Sequence, residues 1–177
     1  MEMRIEDADG IELPKGQVGE IVSRGISLMQ GYWNREKETR EAFRNGWLRS
    51  GDMGYVDDRG FLYIVDRLKD MIVTGGENVY SAEVENALSR HPAIASCAVI
   101  GIPSERWGEQ VHAVAVLVEG SEASAMELRE FCKQHIAGYK CPASVEFRDS
   151  LPLSGAGKLL KHVLRAPYWE GHTRRVG

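Results

Sequence analysis

Cysteine is scarce in this sequence, which contains only Cys97, Cys132 and Cys141. Their odd number and irregular spacing argue against a disulfide framework and against the paired cysteines of a structural zinc site. Cys132 and His135 would share one face of a helix, but no further ligand follows at an interval typical of zinc. We therefore predict no metal site and reduced thiols, as is usual in the cytoplasm.

Long apolar runs are also absent. The segment VHAVAVLV, residues 111–118, has the length of a strand and falls far short of the ~20 residues that a membrane-spanning helix needs. The opening segment MEMRIEDADG is acidic and polar, unlike a signal or transit peptide. A formal net charge of −4 argues against broad binding to nucleic acid or to a membrane surface. We predict a cytoplasmic globular protein with no membrane span and no nucleic-acid partner.

A complete phosphate-binding loop is missing as well, although the segment LPLSGAGKLLK, residues 151–161, suggests one. The loop of nucleotide hydrolases reads G-x-x-x-x-G-K-[ST]. Gly157 and Lys158 fit its end, but Pro152 replaces the first glycine and Leu159 replaces the hydroxyl residue that would bind magnesium. Lys158 therefore needs another explanation.

Residues 1–65 are predicted to be rich in β-structure, with one helix and no core of their own. GQVGEIVSRG reads as a strand between glycines, and GYVDDRGFLYIV reads as a hairpin. NREKETREAFRNG is predicted as a helix capped by Asn34 and ending at Gly46. Residues 66–70, DRLKD, form a charged connector to the next part of the chain.

Residues 71–177 are predicted to form a compact α+β domain with a mixed sheet and packed helices. A hairpin turns at Gly75 and Gly76, and helices begin at Ser81 and at the capping box Ser124/Glu127. Buried strands are expected in IASCAVIGIP, EQVHAVAVLVEG and PASVEFRD. KLLKHVLRA is predicted as a final short helix, with Lys158 at its start.

Four stretches in this order carry a resemblance to a known family: GWLRSGDMGYVDDRGFLYIVDRLKDMI, TGGENVYSAEVE, GYKCP and LPLSGAGKLLK. Together they resemble the C-terminal portion of the adenylate-forming (ANL) superfamily of AMP-binding enzymes. MQGYWN, GGENVYSAEVE and SERWGE are most similar to the acyl-CoA synthetase branch. The resemblance implies a small mobile lid domain, preceded by the β-rich end of a large N-terminal domain.

The resemblance also assigns roles to individual residues. Asp52 would accept hydrogen bonds from the ribose hydroxyls of ATP or AMP, and Arg67 would contact the nucleotide near its ribose and phosphate. Lys69 would be the hinge about which the lid rotates between two half-reactions. Lys158 would be the catalytic lysine that stabilises negative charge at the α-phosphorus while the acyl-adenylate forms.

A second group of residues is implied to meet coenzyme A. The hairpin residues Gly75, Gly76 and Glu77 would line the channel for its pantetheine arm. Tyr139, Lys140 and the basic end of the chain would be candidates for its nucleotide portion. The basic residues after Ser150 are Lys158, Lys161, Arg165, Arg174 and Arg175, against a single acidic residue, Glu170.

The other half of the family's nucleotide site is absent from these residues, including its phosphate loop, its magnesium ligand and its acid pocket. The resemblance therefore implies a fragment of an ATP-dependent acyl-CoA synthetase, which joins a carboxylic acid to CoA and uses Mg²⁺ with ATP. We expect the fragment to be inactive alone. Two alternatives stay open: an adenylation domain that charges a carrier protein, and a non-catalytic fragment that binds a nucleotide or a partner.

Overall fold

The computed structural model describes residues 1–172, which divide into two compact units between Leu68 and Lys69. The division falls inside the segment 66–70 that was predicted as the connector. Each unit has its own five-stranded sheet, and α-helices pack with them. The predicted α+β class is confirmed.

The sheet of the first unit is antiparallel and is organised around its longest strand. Its strands are β1 (Glu2–Glu6), β2 (Gly19–Arg24), β3 (Phe43–Arg44), β4 (Trp47–Val56) and β5 (Leu62–Arg67). β2 pairs with β1 and β4, while β3 and β5 pair with different parts of β4. The predicted hairpin between β4 and β5 is confirmed, and Gly60 takes a φ of 87° in its turn.

The first helix is shorter than predicted. Helix α1 runs from Glu36 to Ala42, and Asn34 does not cap it because Asn34 lies two residues before its start with a φ of 52°. The chain leaves the helix early because Phe43–Arg44 pairs with Trp47 and Leu48. Asn45 and Gly46 both have positive φ, the usual choice for a tight hairpin turn.

The second unit contains a mixed sheet, as predicted. Its strands are β6 (Ile72–Thr74), β7 (Glu77–Val79), β8 (Ile94–Ser104), β9 (Gly108–Leu117) and β10 (Ser144–Phe147), and its helices are α2 (Ser81–Leu88), α3 (Ala125–Lys133) and α4 (Lys161–Arg165). β9 pairs antiparallel with β8 and parallel with β10, and it meets β6 where Gly108 pairs with Thr74. β6 and β7 form the predicted hairpin.

Both faces of this sheet are buried, which explains the nearly continuous apolar sequences of β8 and β9. One face packs against α2 and α3, and its core includes Val84 and Leu88 from α2, Leu128 and Cys132 from α3, and Val99, Val111 and Ala113 from the sheet. The other face packs Ala98, Ile100 and Val114 against Leu164 of α4. Alternate residues of one strand therefore belong to two cores.

Two helix starts differ from the prediction, while the start of α3 at Ser124 is confirmed: Ser124 Oγ accepts a hydrogen bond from the Glu127 amide. Ser81 is the first residue of α2 and does not cap it; its buried hydroxyl accepts a hydrogen bond from Lys161. Helix α4 begins at Lys161, so Lys158 lies before the helix and not at its N-terminus. A cation is unfavourable at the N-terminal end of a helix dipole, and Lys158 avoids that position. Among residues 1–172, no helix is long and apolar enough to cross a membrane.

Candidate functional site

Asp52 and Arg67 are direct neighbours on adjacent strands of the first unit. They are register partners on β4 and β5, and Arg67 Nε lies 3.0 Å from Asp52 Oδ1. Asp52 is 26% exposed and Arg67 61% exposed, so both side chains remain open to solvent. The structure thus brings together the two residues that were predicted to meet the nucleotide ribose.

A buried glutamate that sequence reasoning missed holds the segment before Asp52. Glu20 on β2 is 6% exposed; its Oε1 accepts a hydrogen bond from the Gly51 amide at 3.2 Å and its Oε2 one from Arg49 Nε at 2.8 Å. The register between β2 and β4 shifts at this point, and Gly51 takes a φ of 72°. The signal in the sequence was a charged residue at the start of the apolar strand GEIV, where a buried charge needs a partner.

An open cavity of about 580 Å³ adjoins this segment in the first unit. It is lined by Tyr32 and Arg35, by Glu38 and Glu41 of α1, and by Glu20, Arg49, Ser50, Gly51 and Leu68. Its wall carries charged side chains of both signs. Such a wall can hold a polar ligand by hydrogen bonds and ion pairs.

The glycine hairpin of the second unit borders a larger cavity of about 830 Å³. Gly75 and Gly76 take φ values of 60° and 89°, which favour glycine. The residues around the opening are Val73, Gly75, Gly76, Pro103, Ser104, Glu105, Trp107, Gly108, Glu109, Trp169 and His172. Glu77 is exposed at the start of β7 and is not one of them.

Trp107 lines this cavity beside the glycine hairpin, and sequence reasoning gave it no role. The Gly75 amide donates to the Trp107 carbonyl at 2.9 Å, and a Cβ on Gly75 would lie 3.0 Å from Trp107 Cε3. The guanidinium of Arg106 stacks on the indole, 4.4 Å from its centroid. A glycine at position 75 therefore lets the indole form the wall beside the hairpin.

The floor of the cavity contains a buried carboxylate. Glu109 is 5% exposed, and its Oε2 accepts a hydrogen bond from the Val73 amide at 3.4 Å. Gly101 leaves room for it, because a Cβ there would lie only 2.3 Å from Glu109 Oε2. The carbonyl of Gly101 accepts a hydrogen bond from Trp169 Nε1 at 2.9 Å. The hairpin and the C-terminal segment thus meet at one point of the sheet.

Lys158 sits on a closed turn. The amide of Ser154 donates to the Lys158 carbonyl at 2.8 Å, the Lys158 amide donates to Ser154 Oγ at 3.1 Å, and Leu153 bridges Leu159. Gly157 takes a φ of 74°, whereas Gly155 does not need positive φ. The lysine side chain is exposed and makes no hydrogen bond or ion pair with residues 1–172. It is therefore available for a negatively charged ligand.

Tyr139 and Lys140 lie in a 3-10 turn away from the cavity lining. Lys140 Nζ binds both carboxylate oxygens of Glu83 at 2.8 Å, while Tyr139 is 51% exposed. Lys69 lies in the turn Leu68–Asp70 with its side chain exposed. Arg174 and Arg175, part of the basic end considered for coenzyme A, lie outside the described residues. In the part of the chain that the structure describes, no cluster of three or more His, Cys, Asp or Glu side chains could hold a metal ion.

Comparison with known proteins places this geometry in a family. Residues 83–158 match the AMP-binding enzyme C-terminal domain. Feruloyl-CoA synthase of Amycolatopsis sp is 49% identical over 93% of this chain and 33% of that protein. Fatty acid–[acyl-carrier-protein] ligase ScoC of Streptomyces coeruleorubidus is 43% identical over 98% of this chain and 33% of that protein.

A solved structure agrees with both. The o-succinylbenzoate CoA synthetase MenE of Bacillus subtilis, in complex with the acyl-adenylate intermediate OSB-AMP, superposes with a TM-score of 0.84 at 44% identity, over 92% of this chain and 33% of that chain. The chain thus spans about a third of the length of the relatives it matches. Residues 83–158 therefore belong to the family of AMP-binding enzyme C-terminal domains, and the chain as a whole is similar to about a third of the CoA ligases that it matches.

Proposed function

We propose that this chain is the lid-bearing portion of an ATP-dependent acid–thiol ligase that makes acyl-CoA. In the first half-reaction a carboxylate oxygen of the acid attacks the α-phosphorus of ATP, and pyrophosphate leaves. In the second, the sulfur of CoA attacks the acyl carbonyl, its proton is lost, and AMP leaves. The observation that carries the proposal is Lys158, an exposed ammonium on a closed turn in a chain whose residues 83–158 belong to the family of AMP-binding enzyme C-terminal domains.

Lys158 is proposed to act in the first half-reaction. Negative charge develops around the α-phosphorus as pyrophosphate departs, and an ammonium held there stabilises the transition state. Asp52 would accept hydrogen bonds from the ribose hydroxyls, since one carboxylate can receive two neighbouring donors. Arg67, already paired with Asp52 at 3.0 Å, would orient that carboxylate and meet the nucleotide.

The cavity beside Gly75 and Gly76 is proposed to receive the pantetheine arm in the second half-reaction. Its volume of about 830 Å³ lies within the range of small-molecule sites. The flat indole of Trp107 offers an apolar wall for a slender alkyl amide chain. Tyr139 and Lys140 stay candidates for the nucleotide part of CoA, which would require Lys140 to exchange its Glu83 partner for a phosphate.

A chimera tests the proposal directly. This chain replaces the matching third of Bacillus subtilis o-succinylbenzoate CoA synthetase, with which it shares 44% identity. We expect the chimera to form the acyl-adenylate from ATP and the acid, and then the CoA thioester. The isolated 177-residue chain should do neither. A folded chimera that binds the adenylate but forms no product would favour a non-catalytic role for this chain.

The half-reactions separate the role of Lys158 from general damage. In the chimera, Lys158→Ala should slow adenylate formation by roughly 100-fold or more, the usual effect of losing one transition-state donor. Thioester formation from supplied acyl-adenylate should remain near its starting rate. Lys133→Ala is the matched control, because Lys133 is an exposed lysine of the same unit that pairs with Glu130. Equal losses in both half-reactions would contradict the assignment.

A carrier protein is the second candidate for the thiol acceptor. The observation in its favour is the 43% identity to a fatty acid–[acyl-carrier-protein] ligase. A phosphopantetheine on a carrier protein presents the same thiol arm as CoA, so the glycine hairpin would serve either acceptor. Supplying the chimera with CoA or with a phosphopantetheinylated carrier protein, and comparing kcat/KM, distinguishes the two.

The acid, the metal and the cellular location complete the proposal. The acid is proposed to be a fatty or an aromatic carboxylic acid, because the relatives' names include both classes. No cluster of possible metal ligands occurs among residues 1–172. The Mg²⁺ that accompanies ATP would therefore take its ligands from outside these residues. A cytoplasmic location fits the free thiols of Cys97, Cys132 and Cys141.

A further inference from the structure

The last residue of α4 reaches back to the beginning of the second unit. Arg165 Nη1 donates to the carbonyl oxygen of Lys69 at 2.9 Å, and Arg165 Nη2 lies 2.6 Å from Asp70 Oδ1. The side chains of Arg165 and Asp70 are each 13% exposed. One guanidinium thus holds two successive residues at the end of the connector, one by its main chain and one by its side chain.

The guanidinium is well suited to this task. Its nitrogens lie in one rigid plane, so two bonds from two of them fix both the position and the orientation of what they hold. Solvent screens a mostly buried ion pair far less than an exposed one. The peptide plane that follows Lys69 is therefore fixed to α4, whereas the exposed side chain of Lys69 is not part of this contact.

The other end of α4 is fixed in a similar way. Lys161, the first residue of the helix, lies 2.7 Å from Glu85 Oε1 and donates to Ser81 Oγ at 2.7 Å. Between the two ends, Leu164 is fully buried against the sheet. A helix of five residues is too short to be stable by itself, so these contacts hold it in place.

The Lys158 turn directly precedes α4. Its closing hydrogen bonds and the Leu153–Leu159 bridge leave Leu160 as the single residue between the bridge and the helix. The main-chain amide of Leu160 is itself bonded to the Pro152 carbonyl at 2.9 Å. The connector end, α4 and the Lys158 turn are consequently joined by direct contacts with no loose segment between them.

We propose that Arg165 is a positioning residue for Lys158: it fixes the end of the connector to the helix next to the Lys158 turn. Any rotation of the lid is then confined to the backbone of residues 66–69 that precedes the Lys69 carbonyl group. Lys158 moves together with α4 and Asp70 as one rigid body. The functional half of this proposal rests on the proposed ligase reaction, whereas the structural half concerns the 177-residue chain alone.

Amide hydrogen exchange of the full 177-residue chain tests the structural half. We expect Arg165→Gln to raise the exchange rate of the segment 68–74 by roughly tenfold or more, the effect of losing hydrogen bonds to a charged group. The central strand β8 should exchange at its original rate. Arg148→Gln is the matched control, because Arg148 pairs with Glu146 and makes no contact with the connector. It should leave the segment 68–74 unchanged.

A double variant identifies the pair itself. Asp70→Asn should also speed exchange of the segment 68–74, and adding it to Arg165→Gln should have little further effect, because Arg165→Gln has already removed both bonds to the end of the connector. Asp70→Asn alone serves as the test if Arg165→Gln does not fold. Unchanged exchange, an equal rise in β8, or independent effects of the two substitutions would each overturn the proposal.

The chimera then tests the functional half. Arg165→Gln should slow adenylate formation, since Lys158 is presented less often in its working position, while the KM for ATP stays near its starting value. Arg165→Lys, which keeps the charge but loses the planar fork, should recover part of the rate. Amide hydrogen exchange requires neither ATP nor CoA. An inactive chimera would therefore count against the proposed ligase reaction and not against the contact of Arg165 with Lys69 and Asp70. An accelerated segment 68–74 with full adenylation activity would overturn the positioning role.

Discussion

Lys161 Nζ and Glu85 Oε1 lie 2.7 Å apart, and this ion pair joins the first residue of α4 to α2. The lysine side chain is 13% exposed and the glutamate side chain 21% exposed. Glu85 Oε1 also accepts a hydrogen bond from the Val99 amide at 2.7 Å, which extends the contact into β8. A single carboxylate thus ties two helices to the central sheet.

Removing one partner of this pair should be costly. Lys161→Met retains most of the aliphatic chain but leaves the Glu85 carboxylate without its cation, so we expect a loss of about 3 kcal/mol in the free energy of unfolding, as for other broken buried pairs. Urea denaturation measures the change. The matched control is Lys133→Met, which removes the partner of Glu130 from an exposed i,i+3 pair and should change stability by about 0.5 kcal/mol or less. Equal losses in the two variants would contradict the prediction.

The two hairpin glycines should respond differently to alanine. Both have positive φ, so each substitution introduces backbone strain of about 1 kcal/mol. Gly75→Ala also brings a Cβ to 3.0 Å from Trp107, whereas a Cβ on Gly76 meets nothing within 4 Å. Gly75→Ala should therefore destabilise the chain more and displace the indole. Tryptophan fluorescence and denaturation of both variants provide the measurement; identical behaviour would show that the Trp107 contact is unimportant.

Gly101 should be among the least replaceable glycines of the second unit. A Cβ at this position would lie 2.3 Å from Glu109 Oε2 and 3.2 Å from Ile72 Cγ2, both buried. We expect Gly101→Ala to lower the free energy of unfolding by about 1–3 kcal/mol through overpacking. Gly138→Ala is the control, since Gly138 has no neighbour within 4 Å and no positive φ. A harmless Gly101→Ala would mean that the Glu109 side chain can move aside easily.

The buried His112 should make stability depend on pH. Tyr168 donates its O–H to Glu146 Oε2 at 2.7 Å. The Tyr168 oxygen is therefore left to accept a hydrogen bond from Nε2–H of His112. The other ring nitrogen of His112, Nδ1, then accepts a hydrogen bond from the Ser144 hydroxyl. Burial lowers the pKa of His112, and this effect outweighs the opposing influence of Glu146. The neutral imidazole therefore fits this network.

The sign of the effect follows from the two protonation states. Below about pH 6.5, the ordinary pKa of histidine, the unfolded chain binds a proton that the folded chain does not. The free energy of unfolding should consequently fall as the pH drops below about 6.5, until the folded pKa is reached. Urea denaturation between pH 5 and pH 8 measures this slope. In His112→Gln the slope should be smaller; the same slope in both proteins would assign it to other groups.

The sequence predicted best where local chemistry decides the structure. Gly75 and Gly76 specified a tight turn because few other residues accept positive φ, and Ser124 with Glu127 specified a helix start. The apolar sequences of β8 and β9 predicted buried strands, and the structure buries them between two cores. The family motifs also predicted Asp52 and Arg67 as parts of one site, and the structure pairs them across β4 and β5.

The features that escaped prediction depend on partners far away in the sequence. Glu20 is buried because Arg49 and the Gly51 amide, brought beside it by strand pairing, compensate its charge. Ser81 is the first residue of α2 and not its cap, and its hydroxyl accepts a hydrogen bond from Lys161, which is distant in sequence. Tertiary contacts therefore decided both of these cases.

A local contact also escaped prediction. The residues KLL before α4 look helical by propensity, yet Leu159 pairs with Leu153 within the same turn.

The closed turn that ends at Lys158 has a consequence for how quickly and how accurately the ammonium group of this lysine can be positioned. Because its main chain is fastened at both ends, almost all the freedom left to the ammonium group is that of its own four-carbon arm. Ordering one side chain takes away far less entropy than ordering a whole loop. In the reaction proposed above, Lys158 would therefore need to order little more than its own side chain to reach the phosphate.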